Sequence, residues 1–292
     1  MWPRLSSQDI SLFEPFNSHS PASGKDIRVI YFDIGSVLID LDWDSFFARL
    51  HELNPDNASL SAESVMRHLR DNQLMQKWCT GAIGPLGYVE GMLEAAGHSK
   101  EKAHRLALGI EPLSNGVFAP ALVKEHSSLI VGPARPRVVR LIQKLRKHNY
   151  IVGALSNATP WHETDILRTT SLHELFDVVI FSQDVGSEKP AENIYRAALN
   201  AAREIHHKKT GPNAPLLTES QLAFVDDTPA NVRAARALGW HASLVCLLKP
   251  EHLETWHRLN EQELNDLSTS ACHLVFGEEA ARRVENLFSK LI

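Results

Sequence analysis

Four places in the sequence carry side chains that together could transfer a phosphoryl group. In chain order they are Asp33, Ser156 with Asn157, Lys189, and Asp226 with Asp227. A carboxylate can attack phosphorus only when the repulsion between the two anions is removed, which requires a divalent cation and fixed donors or positive charges around the phosphoryl oxygens. The set contains carboxylates, a hydroxyl group and an ammonium group, so each of these roles has a candidate.

A Mg²⁺ ion would find suitable oxygen ligands among these residues. Proteins usually hold Mg²⁺ with one or two carboxylates, and water and substrate oxygens complete the octahedron. We expect Asp33 and Asp227 to supply the carboxylates and the backbone carbonyl of Gly35 to supply a third oxygen.

The remaining residues of the set could bind the phosphoryl group itself. Ser156 and the backbone N–H groups near Asn157 can donate hydrogen bonds to it, and Lys189 can neutralise charge on both Asp33 and the phosphate. Taken singly, each residue has an ordinary structural explanation, such as a helix cap, a turn or a surface charge. Their joint occurrence at the ends of predicted strands favours a shared site.

The elements around these residues predict how they are brought together. Apolar runs of strand length alternate with amphipathic segments of helix length, and the runs are IRVIYFDI, YIVGALSN, DVVIFS, QLAFVDD and HASLVCL. Continuous apolar strands separated by helices are typical of a parallel sheet covered on both faces. The sequence therefore predicts a doubly wound α/β core, and such sheets bind ligands at the carboxyl ends of their strands.

The chain divides into four predicted parts. They are a flexible leader at 1–25, an α/β core at 26–43 and 133–250, a helical cap at 44–132, and a helical C-terminal extension at 251–292. The cap is predicted because several helical patterns follow one another there with no strand between them. A Gly- and Pro-containing stretch at 206–220 predicts a loop, whose paired His206 and His207 we interpret as solvated side chains rather than metal ligands.

Bulk composition narrows the class of function. The chain has 292 residues and a net charge of -5, so it can bury a large core and carries no basic footprint for nucleic acid or an anionic membrane. Three scattered cysteines favour a reducing compartment. No segment has the apolar length of a signal peptide or a transmembrane helix. We expect a cytoplasmic protein that acts on a small molecule and not on nucleic acid or a membrane. The oligomeric state stays open.

The order and spacing of the four motifs resemble the haloacid dehalogenase superfamily, in the branch whose helical cap follows the first motif. The matching stretches, over residues 27–248, are DIGSVL, LSNAT, SQDVGSEKPAENIY and FVDDTPANVRAARALGW. The chain is especially similar to the bacterial sugar-phosphate phosphatases of this branch. The resemblance implies a Rossmann-like core and a Mg²⁺-dependent phosphatase with a small phosphorylated substrate. It also implies that Asp33 is a nucleophile forming an aspartyl-phosphate, that Asp227 binds Mg²⁺ directly, and that Asp226 and Asn231 support the metal site.

One position departs from the pattern of that family. Most of its phosphatases place a second Asp two residues after the nucleophile as a general acid and base, and here that position is Gly35. General acid–base catalysis contributes ~10²- to 10⁴-fold to a rate. We therefore expect a substrate with a good leaving group, such as a sugar-1-phosphate, an acyl phosphate or a diphosphate. A replacement acid could come from Asp40, Asp42 or Asp44, or from the cap. Other side chains that could shape or reach the pocket are Trp43, Trp78, Tyr88, Trp161 and His162.

Three alternatives remain open at the level of sequence. A metal-independent 2-haloacid dehalogenase would use the same nucleophile, but the Asp226–Asp227 pair would repel an anionic substrate that binds without a cation. A non-catalytic binding or regulatory protein would explain Gly35 and leave the other motifs unexplained. An isoprenoid diphosphate under an apolar cap cannot be separated from a sugar phosphate.

Overall fold

A computed structural model of the chain describes residues 27–245, 275, 277–289 and 291. The predicted leader at 1–25, Cys246, Cys272 and the start of the C-terminal extension lie outside the described residues. The strands are β1 Val29–Phe32, β2 Ile39–Leu41, β3 Val131–Ala134, β4 Ile151–Ser156, β5 Val178–Phe181, β6 Leu222–Asp226 and β7 His241–Leu244.

Thirteen described α-helices surround these strands. They are α1 Trp43–Ala48, α2 Ala62–Asp71, α3 Leu74–Cys79, α4 Pro85–Ala95, α5 Lys100–Ala107, α6 Ala119–Leu129, α7 Pro136–Lys147, α8 Pro160–Thr170, α9 Leu172–Leu175, α10 Ser182–Val185, α11 Glu192–Thr210, α12 Pro229–Ala237 and α13 Gly277–Leu287. Short 3₁₀ helices occur at Leu50–Leu53 and Glu219–Gln221. Among the described residues, none of these helices combines the length and the apolar character needed to cross a bilayer.

Five strands form one parallel sheet in the order β5-β4-β1-β6-β7. The predicted doubly wound α/β core is therefore confirmed. β1 lies in the centre, and all four of its residues are buried. This explains why its sequence is a continuous apolar run instead of an alternating one.

The two faces of the sheet pack against different helices. Ile30 and Phe32 face a cluster that includes the apolar sides of α7, α8 and α13, and the Phe32 ring stacks on Phe288 with centroids 5.1 Å apart. Val29 and Tyr31 face a second cluster with α11 and α12. Successive strand residues point to opposite faces, so burial on both sides holds β1 and the residue that follows it in a fixed position.

The helices from α1 to α6 form a third apolar cluster of their own, which we call the helical insertion (residues 43–129). It connects to the sheet through an antiparallel pair, β2 and β3, which we call the β2–β3 ribbon. The sequence interpretation missed this ribbon. Leu41 at the end of β2 packs against both the sheet cluster and the insertion cluster, so it lies at their junction.

Helix α11 differs from its predicted bounds at both ends. It begins at Glu192 instead of Pro190 and continues to Thr210. The prediction that a loop begins at residue 206 is therefore wrong, because the polar residues 206–210 prolong the helix until Gly211, which has a φ of 89°. Both His206 and His207 lie on this last turn.

Candidate active site at the carboxyl edge of the sheet

The register of the sheet brings the motif residues to one edge. Phe32 pairs with Ala154 of β4 on one side and with Val225 of β6 on the other. The next residue, Asp33, is anchored by its N–H, which donates to the Val225 carbonyl at 2.9 Å. Asp33 therefore lies beside Asp226 at the end of β6 and near the end of β4, because neighbouring strands are only about 4.8 Å apart.

Lys189 lies at the centre of the site and is 3% exposed. Its Nζ is 2.9 Å from Asp33 Oδ1 and 2.7 Å from Asp226 Oδ2. It also donates to the Leu155 carbonyl at 2.9 Å. Burial alone would lower the pKa of Lys189, but the carboxylates of Asp226 and Asp33 outweigh burial and raise it. The amine of Lys189 therefore stays protonated, and it joins Asp33 of the first motif to Asp226 of the fourth.

Asn157 and Ser156 differ in what their side chains do. The Asn157 side chain accepts from the Lys189 N–H at 2.8 Å and donates to the Lys189 carbonyl at 2.9 Å. It therefore holds the backbone of the lysine. Ser156 ends β4 and is 3% exposed, and its hydroxyl has no hydrogen-bond partner within the part of the chain that the structure describes. It is therefore the freer donor of the two.

Asp226 is fully buried and both of its carboxylate oxygens are bonded. Oδ2 accepts from Lys189, and Oδ1 accepts from the Thr228 N–H at 2.8 Å. The Asn231 amide lies 3.0 and 3.1 Å from the two oxygens. Because protein groups already donate to both of its oxygens, Asp226 is suited to holding Lys189 rather than to binding a ligand.

Three carboxylates crowd around the single ammonium group. One oxygen from each of Asp33, Asp226 and Asp227 lies within 4.8 Å of the others. Burial, together with the charges of Asp226 and Asp227 and against the opposing charge of Lys189, raises the pKa of Asp33 to about 8. Burial, followed by the charge of Asp226, raises the pKa of Asp227 to about 7. When all three are ionised, the carboxylates carry more negative charge than Lys189 can offset, and an all-oxygen donor set of this kind fits a hard divalent cation such as Mg²⁺.

Gly35 stands where the family pattern has a second acid, and the space beside it is apolar. A Cβ atom built on Gly35 would lie 3.3 Å from Leu41 Cδ1. The carbonyl oxygen of Gly35, which we predicted as a metal ligand, accepts the Val37 N–H at 2.7 Å within a tight turn. Position 35 therefore offers no acid, and the apolar side chain of Leu41 lies where such an acid would begin.

The three acids predicted as substitutes are engaged in other contacts or exposed. Asp40 pairs with Arg135 at 2.6 Å. Asp42 caps α1 by accepting from the Ser45 N–H at 2.9 Å. Asp44 is exposed in the first turn of the same helix. None of these three acids is therefore placed as the replacement acid.

The aromatic and His residues predicted near the pocket join the helical insertion to the core. The Trp161 ring, just after the second motif, lies 4.7 Å from Trp78 and 5.7 Å from Tyr88, centroid to centroid. His162 Nε2 lies 3.0 Å from the Ser127 hydroxyl of α6, and burial lowers the pKa of His162 to about 4. Trp43 packs against Phe46 and Phe47 inside the insertion and extends the same apolar region.

Two further residues near the carboxylates were missed at the level of sequence. The Ser36 side chain opposes the rise in the pKa of Asp227, and Ser36 has a φ of 57°, a conformation uncommon for a residue with a side chain. Arg135 is buried next to the same turn and donates to the Ser36 carbonyl. The only sequence signal for Arg135 was its place between Pro133 and Pro136, at the predicted end of the cap.

These features place a cluster of carboxylates around one buried ammonium group at the carboxyl edge of a doubly wound sheet. The family model for haloacid dehalogenase-like hydrolases matches residues 27–239, which is well over half of the chain. The protein therefore belongs to the haloacid dehalogenase-like hydrolases and is an enzyme, and the resemblance found in its motifs is confirmed.

One curated relative of this chain is named for its substrate. The chain is 24% identical over 173 residues to a glyceraldehyde 3-phosphate phosphatase of Methanothermobacter thermautotrophicus, and the match covers 59% of this chain and 70% of that protein. Among curated relatives at 31% and 32% identity, the chain spans only 44% and 50% of their lengths.

Solved structures share the fold at low sequence identity. A HAD-family enzyme of Bacteroides thetaiotaomicron, in complex with magnesium and inorganic phosphate, superposes with a TM-score of 0.56 at 18% identity, over 75% of this chain and 93% of that chain. An L-2-haloacid dehalogenase of Xanthobacter autotrophicus with covalently bound chloropropionic acid gives a TM-score of 0.51 at 17% identity, over 82% and 88%. The fold alone therefore does not separate phosphate from halide chemistry.

Proposed function

We propose that this protein is a Mg²⁺-dependent phosphatase that hydrolyses a small phosphorylated metabolite through an aspartyl-phosphate on Asp33. The supporting observation is the excess of negative charge at the sheet edge, where three clustered carboxylates share one buried ammonium group. Such a cluster is costly unless a cation offsets it, because the oxygens are close together and shielded from water. The magnesium complex of the Bacteroides enzyme makes Mg²⁺ the first cation to test.

The ligands of the cation follow from the hydrogen bonds already formed. Asp33 and Asp227 would bind it, since Asp226 is occupied by protein donors. When bound, Mg²⁺ would offset the charge of the two carboxylates and of the phosphoryl oxygens. Ser156 would donate a hydrogen bond to the phosphoryl group, and Lys189 would neutralise negative charge on both that group and Asp33. Asn157 would act on the reaction by holding Lys189 in place.

The reaction would proceed in two displacements at phosphorus. An oxygen of Asp33 attacks phosphorus, the bond to the leaving oxygen breaks, and its electron pair stays with the leaving group. Water then attacks the phosphorus of the aspartyl-phosphate and loses a proton to solvent. This second displacement returns the free carboxylate of Asp33 together with inorganic phosphate.

The environment of Gly35 favours substrates whose leaving group depends little on a proton donor. Leu41 fills the space next to position 35, and the acids at 40, 42 and 44 are bonded to other groups or exposed. We therefore propose a sugar-1-phosphate, an acyl phosphate or a diphosphate as the substrate, because each expels a more stabilised leaving group than a simple alkyl phosphate does. The triose phosphate named for the Methanothermobacter relative has a poor alkoxide leaving group and serves as the comparison substrate.

The dehalogenase alternative is disfavoured by the same cluster. A 2-haloacid is an anion, and three carboxylates within 4.8 Å of one another would repel it in the absence of a cation. Halide release from 2-haloacids in the presence of EDTA would reverse this preference.

The test is phosphate release from a panel of sugar-1-phosphates, acyl phosphates, prenyl diphosphates and glyceraldehyde 3-phosphate, with Mg²⁺ or with EDTA. We expect release that requires Mg²⁺ and is abolished in Asp33→Asn. Asp44→Asn is the matched control, since this acid is exposed and lies outside the cluster. Equal, metal-independent background in wild type and Asp33→Asn would refute the proposal and favour a binding protein.

A further inference from the structure

The charged groups around Asp33 each have a role other than accepting a proton. The Lys189 ammonium lies 2.9 Å from Asp33 and 2.7 Å from Asp226. Its third donor is taken by the Leu155 carbonyl, so the amine has no free position for a proton. Asp226 accepts from protein donors on both oxygens. Asp227 is assigned to the cation, and a carboxylate that binds a divalent ion is a weak base. The cluster therefore supplies a nucleophile without a base.

The turn that follows Asp33 offers no base either. A Cβ atom on Gly35 would lie 3.3 Å from Leu41 Cδ1 and 3.8 Å from Leu41 Cγ. Leu41 packs against both the sheet cluster and the insertion cluster, so its neighbours hold it there. An aliphatic side chain neither donates nor accepts a proton. The acids at positions 40, 42 and 44 are bonded to other groups or exposed.

The lack of a base affects the two displacements at phosphorus unequally. In the first, Asp33 attacks as an anion and a stabilised group leaves, so neither partner depends strongly on proton transfer. In the second, the nucleophile is water, which must lose a proton whatever the substrate was. General acid–base catalysis contributes ~10²- to 10⁴-fold, and a good leaving group in the first step does not replace it in the second. The aspartyl-phosphate should therefore form faster than water removes it.

Reversal of the first displacement shows which nucleophiles escape this limit. A step and its reverse pass through the same transition state, so a group that leaves without a proton donor can also attack without a base. Molecules of the same kind as the leaving group are therefore better acceptors than water or a simple alcohol. Lys189 offsets negative charge in either direction, because it touches Asp33 throughout.

We propose that this protein is also a phosphotransferase, which passes the phosphoryl group from Asp33 to an acceptor oxygen that is stabilised as an anion, in preference to water. The proposal rests on the proposed function in taking Asp33 as the phosphorylated residue. The acceptor oxygen forms the new bond to phosphorus, and any proton that it carries goes to solvent. The bond between phosphorus and the Asp33 oxygen breaks, and its electron pair returns to the carboxylate. Nothing is oxidised or reduced.

The test is exchange of an isotope-labelled leaving group into unreacted substrate. Wild-type protein with Mg²⁺ receives the substrate that it hydrolyses fastest and the labelled leaving group of that substrate, and mass spectrometry follows the label while phosphate release is measured separately. Exchange is energetically neutral, because substrate and product differ only in the label. We expect exchange ~10-fold faster than phosphate release, since the missing base slows only the release. Glycerol, a simple alcohol, is the control acceptor and should take up little phosphate.

A second measurement follows the intermediate directly. If water removes the phosphoryl group slowly, rapid mixing with substrate should give a burst of leaving group that approaches the protein concentration. Phosphate should show no burst.

Two variants at position 35 test the reason for the transfer. In Gly35→Asp the new carboxyl gives its proton to the leaving group, and it is then ionised and can act as a base for water. We expect the ratio of exchange to phosphate release to fall ~10-fold or more. Gly35→Ala adds the same contact with Leu41 without the acid, so the ratio should not fall.

The possible failures are distinguishable. If no substrate of the panel releases phosphate with Mg²⁺, the proposed function fails and the transfer fails with it. Phosphate release that is faster than exchange and shows no burst of leaving group would overturn the transfer alone. An unchanged ratio in a folded Gly35→Asp would also overturn it. If Gly35→Asp does not fold, the exchange and the burst in the wild type decide.

Discussion

Adding a carboxyl group at position 35 tests what its absence means for the reaction. Gly35 has a φ outside the left-handed region, so a side chain introduces no backbone strain. The new Cβ would lie 3.3 to 3.8 Å from the end of the Leu41 side chain. That end is flexible and can move by a few tenths of an ångström, so we expect Gly35→Asp to fold at a cost of about 1 kcal/mol, the lower end of the range for overpacking.

The expected gain in rate depends on the leaving group. The new carboxyl would lie beside the aliphatic side chain of Leu41, and this apolar neighbour raises its pKa and favours the protonated form. The protonated form is the one that can donate to a leaving oxygen. General acid catalysis contributes ~10²- to 10⁴-fold, and we expect the lower end for Gly35→Asp, about 10²-fold on an alkyl phosphate. An aryl phosphate, whose leaving group departs as an anion, should change by less than about threefold.

The assay compares kcat/KM for glyceraldehyde 3-phosphate and p-nitrophenyl phosphate in the wild type, Gly35→Asp and Gly35→Ala. Gly35→Ala introduces the same contact with Leu41 but no acid, so it should not accelerate either substrate. An equal gain on both substrates, or a gain in Gly35→Ala, would refute the explanation that position 35 lacks only a proton donor.

The remaining predictions concern charge and protonation. Lys189→Met should lower the free energy of unfolding by about 3–5 kcal/mol, because it leaves buried carboxylates without their cation. Lys209→Met removes an exposed lysine whose partner Asp177 keeps its second ion pair with Arg146, so it should cost at most about 1 kcal/mol in the same urea titration. Equal losses would contradict the assignment. Mg²⁺ affinity should rise with pH up to about 8, since Asp33 and Asp227, with pKa values near 8 and 7, must lose protons to bind the ion. Calorimetry in buffers of different ionisation enthalpy measures the protons released on Mg²⁺ binding. An affinity that does not change with pH would contradict this prediction. The pKa of His162 is about 4 in the folded state and 6.5 when unfolded, so the unfolded state binds more protons between these values and stability should fall as pH drops through that window. His162→Gln should lose part of that dependence, and an unchanged pH profile of urea midpoints would show that His162 does not contribute.

Much of the core was predictable because its signals are local. Each parallel strand is a continuous apolar run followed by polar residues, and each helix shows its own period, so the order of elements follows from the sequence. The β2–β3 ribbon was not predictable in this way, since a strand of three residues, Ile39–Leu41, carries no usable period. The end of α11 was missed because its last five residues are polar but compatible with a helix, and the break comes only at Gly211.

The members of the site were predictable, but the partners that hold them were not. Strand ends marked Asp33, Ser156 and Asp227, whereas nothing in the sequence showed that the Asn157 side chain would hold the Lys189 backbone. The burial of Arg135 was equally hidden, because charged residues are rarely buried and its partners lie almost a hundred positions away along the chain. Contacts of this kind depend on tertiary packing and not on spacing.

The most direct test of the account is to look for the phosphoryl group on Asp33 itself. Wild-type protein, quenched in acid during turnover of a hydrolysed substrate with Mg²⁺, is digested and its peptides are measured by mass spectrometry. We predict a phosphoryl adduct on the peptide that contains Asp33, lost with EDTA and in Asp33→Asn. Phosphate release that continues in Asp33→Asn, or an adduct on a different residue, would contradict the central claim.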